Sequence, residues 1–546
     1  MKKGFTLIEL LAVIVILAIV ALIATPLILN VIDEAKKGSF KSTAYGIIKA
    51  AELRYAQDML DGTNGELAFT YSNGVEESNP SGKQLDYKGT KPKTGTIIIN
   101  NNGKIKFAIH DGKYCAEKGY EVDEVTISTK LEGECILAET PVVTYTYYNV
   151  NKGVNAPLLA TGMTPIKWNG TDWENTTSGD TQWYDYENKK WANARTEDGS
   201  FWVWIPRYAY QIEDGFHTSD AGTINIKFLI DKTNTTIDGT SIALTPTYSG
   251  SSQTNFVTHP AFKFGDDEIS GIWVAKFEPT AVEGILSTSG TCNISDNDPT
   301  KTIQIIPNAV SWRCITIGNA FDISRQMEIN PIYGWGDHGQ NIDTHLMRDV
   351  EWGAIAYLTQ SRYGKNDEVW KNSNNNYLTG CAGDEVSAMS GAVCNQYNTV
   401  VGQQASTTGN IYGVYDISGG AYERIAAYVN NNHSYLATYG NSLLTAESKY
   451  VKVYAMGASD NEVDNYEANN LDFGNAIWET SLTAVEATSW YGDSSMMPYN
   501  SLPWLQRGGH VGSGTNNEGT FNFSSTAGSR SYGASFRPIL LVGEGL

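Results

Sequence analysis

The sequence predicts an α+β protein in which one long N-terminal helix carries a small β-rich head and precedes a large β-rich domain. Three observations predict this order. An apolar run over residues 10–24 continues as apolar residues at helical spacing to about residue 58. Two β-rich runs then flank an Asn-Gly turn. From about residue 156 the chain is dense in Trp, Tyr, Gly and Asn and has few long helical patterns.

The N-terminal apolar run does not fit a cleaved secretory signal. Such a signal has an apolar core of roughly 7–15 residues and then a small-residue cleavage site, whereas this run extends to residue 24 and no such site follows. A membrane anchor fits the length, because about 20 apolar residues span the hydrocarbon core. It leaves Glu9 unexplained, since an acid at the centre of a spanning helix costs about 2.5–3.5 kcal/mol.

The string KKGFTLIE at residues 2–9 resembles the leader and start of a type IV pilin or pseudopilin. The resemblance implies that residues 1–4 are a leader, that a prepilin peptidase cleaves between Gly4 and Phe5, and that the new amino group of Phe5 is methylated. It also implies that Glu9 faces the free amine of a neighbouring subunit in the dry core of a fibre. Pro26 matches a position where pilin helices bend, because its ring removes a backbone hydrogen bond. An uncleaved signal anchor is the alternative interpretation.

The same resemblance implies a location and a set of partners. The pilin helix covers residues 5–58, with a membrane segment at about residues 5–29. The chain passes once through the cytoplasmic membrane before assembly and lies at the cell surface in a filament afterwards. Its partners are other pilin subunits, the prepilin peptidase, the inner-membrane assembly platform and an unidentified cell-surface, glycan or protein ligand. The net charge of -21 disfavours binding to nucleic acid or anionic lipid, because both require a basic face.

A small head of residues 59–140 is predicted after the helix. The turn residues DGTNG at 61–65 end the helix. The stretch TGTIIINNNGKIKFAIH at 94–110 predicts a hairpin, because two β-rich runs flank an Asn-Gly turn.

The six cysteines fall into pairs of sequence neighbours, namely Cys115 with Cys135, Cys292 with Cys314, and Cys381 with Cys394. An even number in a translocated chain predicts disulfides. Six cysteines allow 15 pairings, and the neighbour pairing is favoured because each bridge closes a short loop, a contribution of about 3 kcal/mol. Buried free thiols are the alternative. No CxxC or HxxxH spacing occurs, so no metal or other cofactor is predicted, and structural calcium has no support in the sequence.

Residues 141–155 are predicted to be a linker, and residues 156–546 a large domain. Four stretches of this domain, in this order, resemble the formylglycine-generating-enzyme version of the C-type lectin fold: HLMRDVEWGAIAYLTQSRYG at 345–364, GNIYGVYDISGGAYERIAAYV at 409–429, WLQRGGHVGSG at 504–514 and GASFRPILLV at 533–542. The resemblance implies a lectin-like domain. The helical spacing of Val350, Ala354 and Tyr357 predicts a helix that starts near Asp349.

Catalysis of the kind found in that family is not expected. The family's oxidase uses a pair of cysteines near the C-terminus to bind copper and attack a thiol. No cysteine follows residue 394, so the nucleophile and the soft metal ligand are both absent. The sequence therefore predicts a domain that is not an enzyme.

The C-terminal region is instead predicted to bind a ligand. Residues 508–537 are rich in Gly, Ser, Asn and Thr with interspersed aromatics, a composition typical of recognition surfaces. The candidate ligand-binding residues are His510, Asn516, Asn517, Phe521, Phe523 and Tyr532. Such runs are also typical of loops on a β-rich domain. The placement further resembles the variable region of proteins diversified by retroelements.

These features together predict a type IV pilin-like subunit, minor or at the tip of a filament, that displays a non-catalytic, lectin-like adhesin head. A globule of about 390 residues has a radius of gyration near 21 Å, which favours a minor or tip position over the repeating shaft. The alternatives are a pseudopilin of a type II secretion or DNA-uptake system and a retroelement-diversified binding protein.

Overall fold

The computed structural model describes residues 7–60, 67–77, 84–100, 103–120, 124–137, 147–335, 341–512 and 518–543. The chain divides into two compact units, Met1–Thr144 and Tyr145–Leu546. The division falls inside the predicted linker of residues 141–155. Gly4 and Phe5 at the predicted cleavage site, and Asn516 and Asn517 of the predicted recognition stretch, lie outside the described residues.

The first unit pairs one long helix with an antiparallel sheet. Helix α1 covers Leu7–Leu60, so the predicted helix continues past Pro26 and ends two residues beyond the predicted boundary. The sheet has six strands in the order β2-β1-β3-β4-β5-β6. The strands are β1 (Leu67–Ser72), β2 (Val75–Glu76), β3 (Thr94–Ile99), β4 (Ile105–His110), β5 (Cys115–Lys118) and β6 (Thr126–Ser128). Strands β3 and β4 pair in register from Thr94 with His110 to Ile99 with Ile105, which confirms the predicted hairpin.

The core of the first unit forms between one face of α1 and the sheet. Phe40, Ala44, Ile47 and Ala51 recur three or four residues apart and are buried against the strands, as the helical period predicts. At the base of this core, Asp33 accepts hydrogen bonds from Lys113 and Tyr114 in the turn between β4 and β5. The outer half of α1 therefore packs on the head.

The second unit is built mainly from two sheets. The larger has seven antiparallel strands in the order β10-β9-β11-β12-β20-β31-β23. These are β9 (Thr164–Trp168), β10 (Trp173–Asn175), β11 (Asn193–Arg195), β12 (Phe201–Pro206), β20 (Gly271–Ala275), β23 (Ile342–Leu346) and β31 (Pro538–Val542). Strand β31 lies between β20 and β23 in this sheet.

The other sheet carries the predicted recognition stretch. Its order is β27-β26-β28-β29, and β30 pairs with β26. The strands are β26 (Tyr422–Val429), β27 (Lys452–Tyr454), β28 (Trp504–Arg507), β29 (Phe523–Thr526) and β30 (Ala534–Phe536). A three-stranded sheet has the order β14-β13-β17, with β13 (Tyr208–Ile212), β14 (Ile224–Phe228) and β17 (Val257–Thr258).

Short ribbons and helices complete the second unit. The ribbons pair β7 (Tyr148–Asn149) with β8 (Val154–Asn155), β15 (Tyr248–Ser249) with β16 (Ser252–Gln253), β18 (Lys263–Phe264) with β19 (Asp267–Glu268), β21 (Thr280–Ala281) with β22 (Ile303–Gln304), and β24 (Cys381–Ala382) with β25 (Asn395–Gln396). The helices are α2 (Ile317–Gln326), α3 (Asp349–Gln360), α4 (Ser434–Thr445) and α5 (Glu462–Glu467). Helix α3 begins at Asp349, as predicted.

The predicted linker is partly folded. The ribbon of β7 and β8 occupies residues 148–155, which the sequence assigned to the linker. Its last residue, Asn155, is fully buried, and its side-chain amide donates to the carbonyl oxygens of Asp231 and Ser270 at 2.8 and 2.9 Å. The second unit therefore begins before residue 156, because this ribbon is tied to loops more than 70 residues away in sequence.

All six cysteines form disulfides between sequence neighbours: Cys115 with Cys135, Cys292 with Cys314, and Cys381 with Cys394. This is the predicted pairing. The first bridge lies in the first unit and the other two lie in the second. No free thiol remains.

Candidate functional site

The first candidate site is the N-terminal half of α1, which exposes apolar side chains around the helix. Large exposed residues run from Leu11 to Ile32 and include Val13, Ile14, Val15, Ile16, Leu17, Ile19, Val20, Leu22, Ile28, Leu29 and Val31. An apolar surface of this extent needs a partner. Glu9 and Pro26 lie on this helix, and their side chains fall outside the described residues. Within the part of the chain that the structure describes, no helix meets the criteria of length and hydropathy for a membrane span.

The second candidate site is a surface that we call the C-terminal patch, formed by Tyr422, His510 and Tyr532. Strand β28 ends at Arg507, and two glycines with φ of +82° and +78° turn the chain into His510. The His510 ring packs edge-to-face on Tyr422, with centroids 5.1 Å apart, and lies 6.5 Å from the ring of Tyr532. A Cβ on Gly533 would lie 3.0 Å from the His510 ring, so glycine leaves room for the imidazole.

His510 is a neutral hydrogen-bond donor at this surface. Burial lowers the pKa of its imidazole below the ordinary value. The backbone N–H of Gly512 donates to Nδ1 at 2.6 Å, so in the neutral ring the proton is on Nε2. No described residue bonds Nε2. Within the described residues, the Nε2–H group of the predicted candidate His510 therefore has no acceptor.

Tyr532 is exposed while its backbone is anchored from below. The ring is 40% exposed, and its carbonyl oxygen accepts a hydrogen bond of 2.6 Å from Nη1 of Arg313. The Arg313 guanidinium lies over the buried ring of Tyr377, 4.0 Å from the centroid, and Tyr377 packs against Val511 and Ala421. A stacked arginine thus fixes the turn that presents Tyr532.

Helix α3 supports the patch from behind. Arg507 is fully buried and donates to Asp349 Oδ1 at 2.9 Å and to the carbonyl oxygen of Ala476 at 2.9 Å. The indole N–H of Trp352 donates to the carbonyl oxygen of Thr520 at 2.8 Å. The patch is therefore held by a helix, although two of its residues, His510 and Tyr532, lie outside strands and helices.

Phe521 and Phe523 do not lie on the surface. Their exposed fractions are 2% and 0%, and Phe521 packs on Trp490 while Phe523 stacks on Tyr466. This corrects the expectation that both rings are surface anchors. Phe523 begins strand β29 and Phe521 lies in the turn before it, and each ring is buried by aromatic residues from distant parts of the chain.

The patch has no deep cavity among the described residues. The cleft beside it, lined by Lys371, Met389, Val511 and Glu518, holds only about 10 Å³, which is about the volume of one water molecule. Lys371 and Glu518 form an ion pair of 2.9 Å inside this cleft. A shallow surface of this kind suits an extended ligand more than a small molecule.

The buried charged side chains near the patch have hydrogen-bond or ion-pair partners within the fold. Arg537 Nε donates to Glu423 Oε2 at 2.7 Å, and both side chains are fully buried. Asp416 accepts from the side chain of Asn372 and the backbone of Gly380, each at 2.9 Å. Within the described residues, no group of three or more His, Cys, Asp and Glu side chains is arranged to hold a metal ion.

A second buried cluster surrounds His345, beside a cavity of about 770 Å³. Its Nδ1 lies 2.7 Å from Asp343 and its Nε2 lies 3.0 Å from Glu351. Burial raises the pKa of Asp343, but the hydrogen bond with His345 and the charge of Arg325 outweigh it and hold the pKa at about 2. Burial also raises the pKa of Glu351, and Arg348 and His345 lower it to about 2. Both imidazole nitrogens are engaged, so His345 has a structural role.

Comparison with known proteins identifies one sequence feature. Residues 1–25 match the prokaryotic N-terminal methylation motif, so the chain starts as a type IV pilin or pseudopilin does. This motif implies processing by a prepilin peptidase and assembly with other pilins. No curated protein matches the chain.

Two solved structures resemble the fold distantly. PvdO from Pseudomonas aeruginosa is 11% identical over 63% of this chain and 95% of its own, with a TM-score of 0.28. Treponema denticola variable protein 1 is 12% identical over 50% of this chain and 85% of its own, with a TM-score of 0.23. At these TM-scores, neither likeness establishes a shared fold.

Proposed function

We propose that this chain is a type IV pilin-like subunit, minor or at the tip of a filament, that displays a non-catalytic, lectin-like binding head. The observation that carries the proposal is the N-terminal methylation motif over residues 1–25, together with a continuous 54-residue helix that begins within it at Leu7. Such a helix is about 80 Å long at 1.5 Å per residue.

Assembly would proceed through the N-terminal half of α1. Cleavage after Gly4 frees the amino group of Phe5, and Glu9 of one subunit pairs with that amine on the next. Two charges that are each costly in an apolar core offset one another in this way. The exposed apolar side chains between Leu11 and Ile32 become buried as neighbouring helices pack.

Size and charge support a minor or tip position. The second unit holds 42 acidic and 23 basic side chains, a net charge of -19, whereas the first unit holds 18 and 16. Heads of roughly 400 residues with this charge repel one another at close spacing, an effect that salt screens. A repeating shaft would bring many of them together, and a single tip position would not.

Binding is assigned to the C-terminal patch. His510 offers an N–H donor that no described residue accepts, Tyr532 offers an exposed ring, and the buried arginines Arg313 and Arg507 fix the backbone on both sides. Exposed aromatic rings on a rigid base are the usual anchors of protein recognition. All six cysteines are in disulfides, so the patch has no thiol nucleophile, and we assign the head no catalytic role.

The proposal is tested by following filaments and attachment separately. Gold-labelled antibody against the second unit should mark filament ends or sparse positions, and label along the whole shaft would refute the minor or tip position. Cells that carry Tyr532→Ala together with His510→Ala should keep their filaments and lose attachment to host cells or surfaces. Leu471→Ala, an exposed residue outside the patch, is the control and should attach normally.

A pseudopilin of a type II secretion or DNA-uptake system is the second candidate, because pseudopilins share the N-terminal motif. Deletion of the gene would then abolish protein export or DNA uptake and leave attachment unchanged. Loss of attachment with normal protein export and DNA uptake supports the adhesin role.

A further inference from the structure

Two stacked pairs of rings form an aromatic surface elsewhere on the second unit. Phe216 stacks on Tyr248, with centroids 3.9 Å apart and planes at 15°, and the next residue, His217, stacks on Trp478 at 4.0 Å and 17°. We call these four residues the aromatic platform. Tyr248 is 38% exposed, and Trp478 and His217 are half-buried. The platform shares no residue with the C-terminal patch.

The exposed tyrosine is fixed at its far end by a buried carboxylate. The hydroxyl of Tyr248 donates to Glu479 Oε1 at 3.0 Å. Glu479 is fully buried, and it also accepts from the hydroxyl groups of Tyr210 and Tyr357 at 2.9 and 2.7 Å. Burial raises the pKa of Glu479 above its ordinary value, which these hydrogen bonds oppose. A surface ring held by both a stack and a buried network is pre-organised.

His217 is held in an unfavourable backbone conformation. Its φ is +52°, in the left-handed region that non-glycine residues rarely adopt. Its backbone N–H donates to the carbonyl oxygen of Glu479 at 2.9 Å, and its Nδ1 lies 3.1 Å from the carbonyl oxygen of Trp478. Because a carbonyl oxygen only accepts, Nδ1 carries the proton, and the neutral ring leaves Nε2 as an acceptor. Strain of this kind is concentrated at functional positions.

The base of the platform continues into the core as a series of rings. Trp478 packs on Tyr466 with centroids 4.7 Å apart, and Tyr466 stacks on Phe523 at 6.3 Å. Phe523, which the sequence assigned to ligand contact, thus supports the platform from beneath. This series prevents the platform from tilting when a ligand presses on it.

The hydrogen-bonding groups around the platform indicate which class of ligand it binds. The loop of residues 213–220 carries three exposed carboxylates, Glu213, Asp214 and Asp220, and His217 Nε2 is a further acceptor. Glu213 and Asp214 each accept one hydrogen bond within the fold and keep a second carboxylate oxygen for a ligand. Acceptors bind O–H donors, so they suit saccharide hydroxyls better than a proline-rich peptide, whose prolines have no N–H group to donate. The carboxylates repel an anionic sugar.

A small cation fits the platform less well than a sugar does. Recognition of quaternary ammonium groups uses several ring faces that converge on the cation. Here one face of Trp478 is covered by His217, and one face of Tyr248 is covered by Phe216. The remaining flat face matches the C–H face of a sugar ring.

We propose that the aromatic platform is a second binding site of the head, for a neutral saccharide whose ring stacks on Tyr248 and whose hydroxyls donate to His217 Nε2 and the loop carboxylates. The site does not depend on the role of the C-terminal patch.

The proposal is tested on the full chain in a detergent that has no sugar headgroup. The probes are maltose, lactose, cellobiose and N,N′-diacetylchitobiose, with choline chloride as the comparison, and binding is followed by saturation-transfer NMR. At least one disaccharide should receive saturation on its ring C–H protons. Tyr248→Ala should weaken its binding at least tenfold, and His217→Asn, which tolerates a positive φ, should do the same.

The control is Val400→Ala, because Val400 is exposed and belongs neither to the aromatic platform nor to the C-terminal patch. It should bind the disaccharide as the unaltered chain does. The platform proposal is overturned if no disaccharide binds, if choline binds instead, or if Tyr248→Ala and His217→Asn, each folded by circular dichroism, keep full affinity.

Discussion

Replacing Asp349 with Asn is expected to lower the free energy of unfolding of the second unit by about 3–5 kcal/mol, because it leaves the buried charge of Arg507 without a counter-ion. The two side chains are 2.9 Å apart, and both are fully buried. Burial raises the pKa of Asp349, and Arg507 opposes that shift. The carbonyl oxygens of Asn475 and Ala476 also accept from Arg507, so the guanidinium stays in place with its charge uncompensated.

The size of the effect in a thermal scan follows from the size of the unit. At about 2.1 cal/mol/K per residue, roughly 400 residues have an unfolding entropy near 0.8 kcal/mol/K. A loss of about 4 kcal/mol therefore lowers Tm by about 5 °C. The assay is differential scanning calorimetry of the full chain in detergent at pH 7, with the transition of the second unit assigned by its larger enthalpy.

The control is Arg362→Ala, which removes a surface ion pair with Glu187 whose side chains are 67% and 59% exposed. Exposed pairs contribute about 0–1 kcal/mol, so this variant should unfold within about 1 °C of the unaltered chain. The double variant Asp349→Asn with Arg507→Met should recover part of the loss, because it removes the unpaired charge. An Asp349→Asn chain whose Tm equals that of the Arg362→Ala control would refute this account of the buried pair.

Three further outcomes are expected. Replacing Cys115 and Cys135 with Ser opens a loop with a sequence separation of 20 and should destabilise the first unit by about 3 kcal/mol, measured by urea unfolding, while the second unit is unchanged. Asp343 and Glu351 have pKa values lowered to about 2, so the stability that their charged forms contribute is present above pH 4.5 and is lost as the pH falls towards 2. The variant Asp343→Asn with Glu351→Gln should therefore show a shallower fall in Tm between pH 4.5 and pH 2. An unchanged dependence of Tm on pH would contradict these pKa values. Tyr532→Phe should keep attachment to cells if the exposed ring is the anchor, and a loss equal to that of an alanine variant would assign the anchor to the hydroxyl group.

The first unit could be predicted closely because its signals are local. The helical period of Phe40, Ala44 and Ile47 fixes which face of α1 meets the sheet, and the Asn-Gly turn fixes the hairpin of β3 and β4. The disulfide pairing followed from short loops for the same reason. Each of these features depends on residues that are near one another in sequence.

The sites of the second unit were less predictable because they depend on distant residues. Phe521 and Phe523 were assigned to a surface by composition, yet they are buried by Trp490 and Tyr466, which no local pattern reveals. The aromatic platform was missed because Phe216 and Tyr248 meet only after the chain folds. The one local signal was the aromatic pair at residues 216–217 in a loop of polar residues.

The central claim is that this chain is processed and assembled as a pilin. The most direct measurement is the mass of the N-terminal peptide of the protein taken from filaments. The account predicts a peptide that begins at N-methylated Phe5 and retains Glu9, and it predicts that Glu9→Leu chains stay in the membrane and are absent from filaments. A peptide that still begins with Met1, or filaments that contain the Glu9→Leu chain at the normal level, would contradict it.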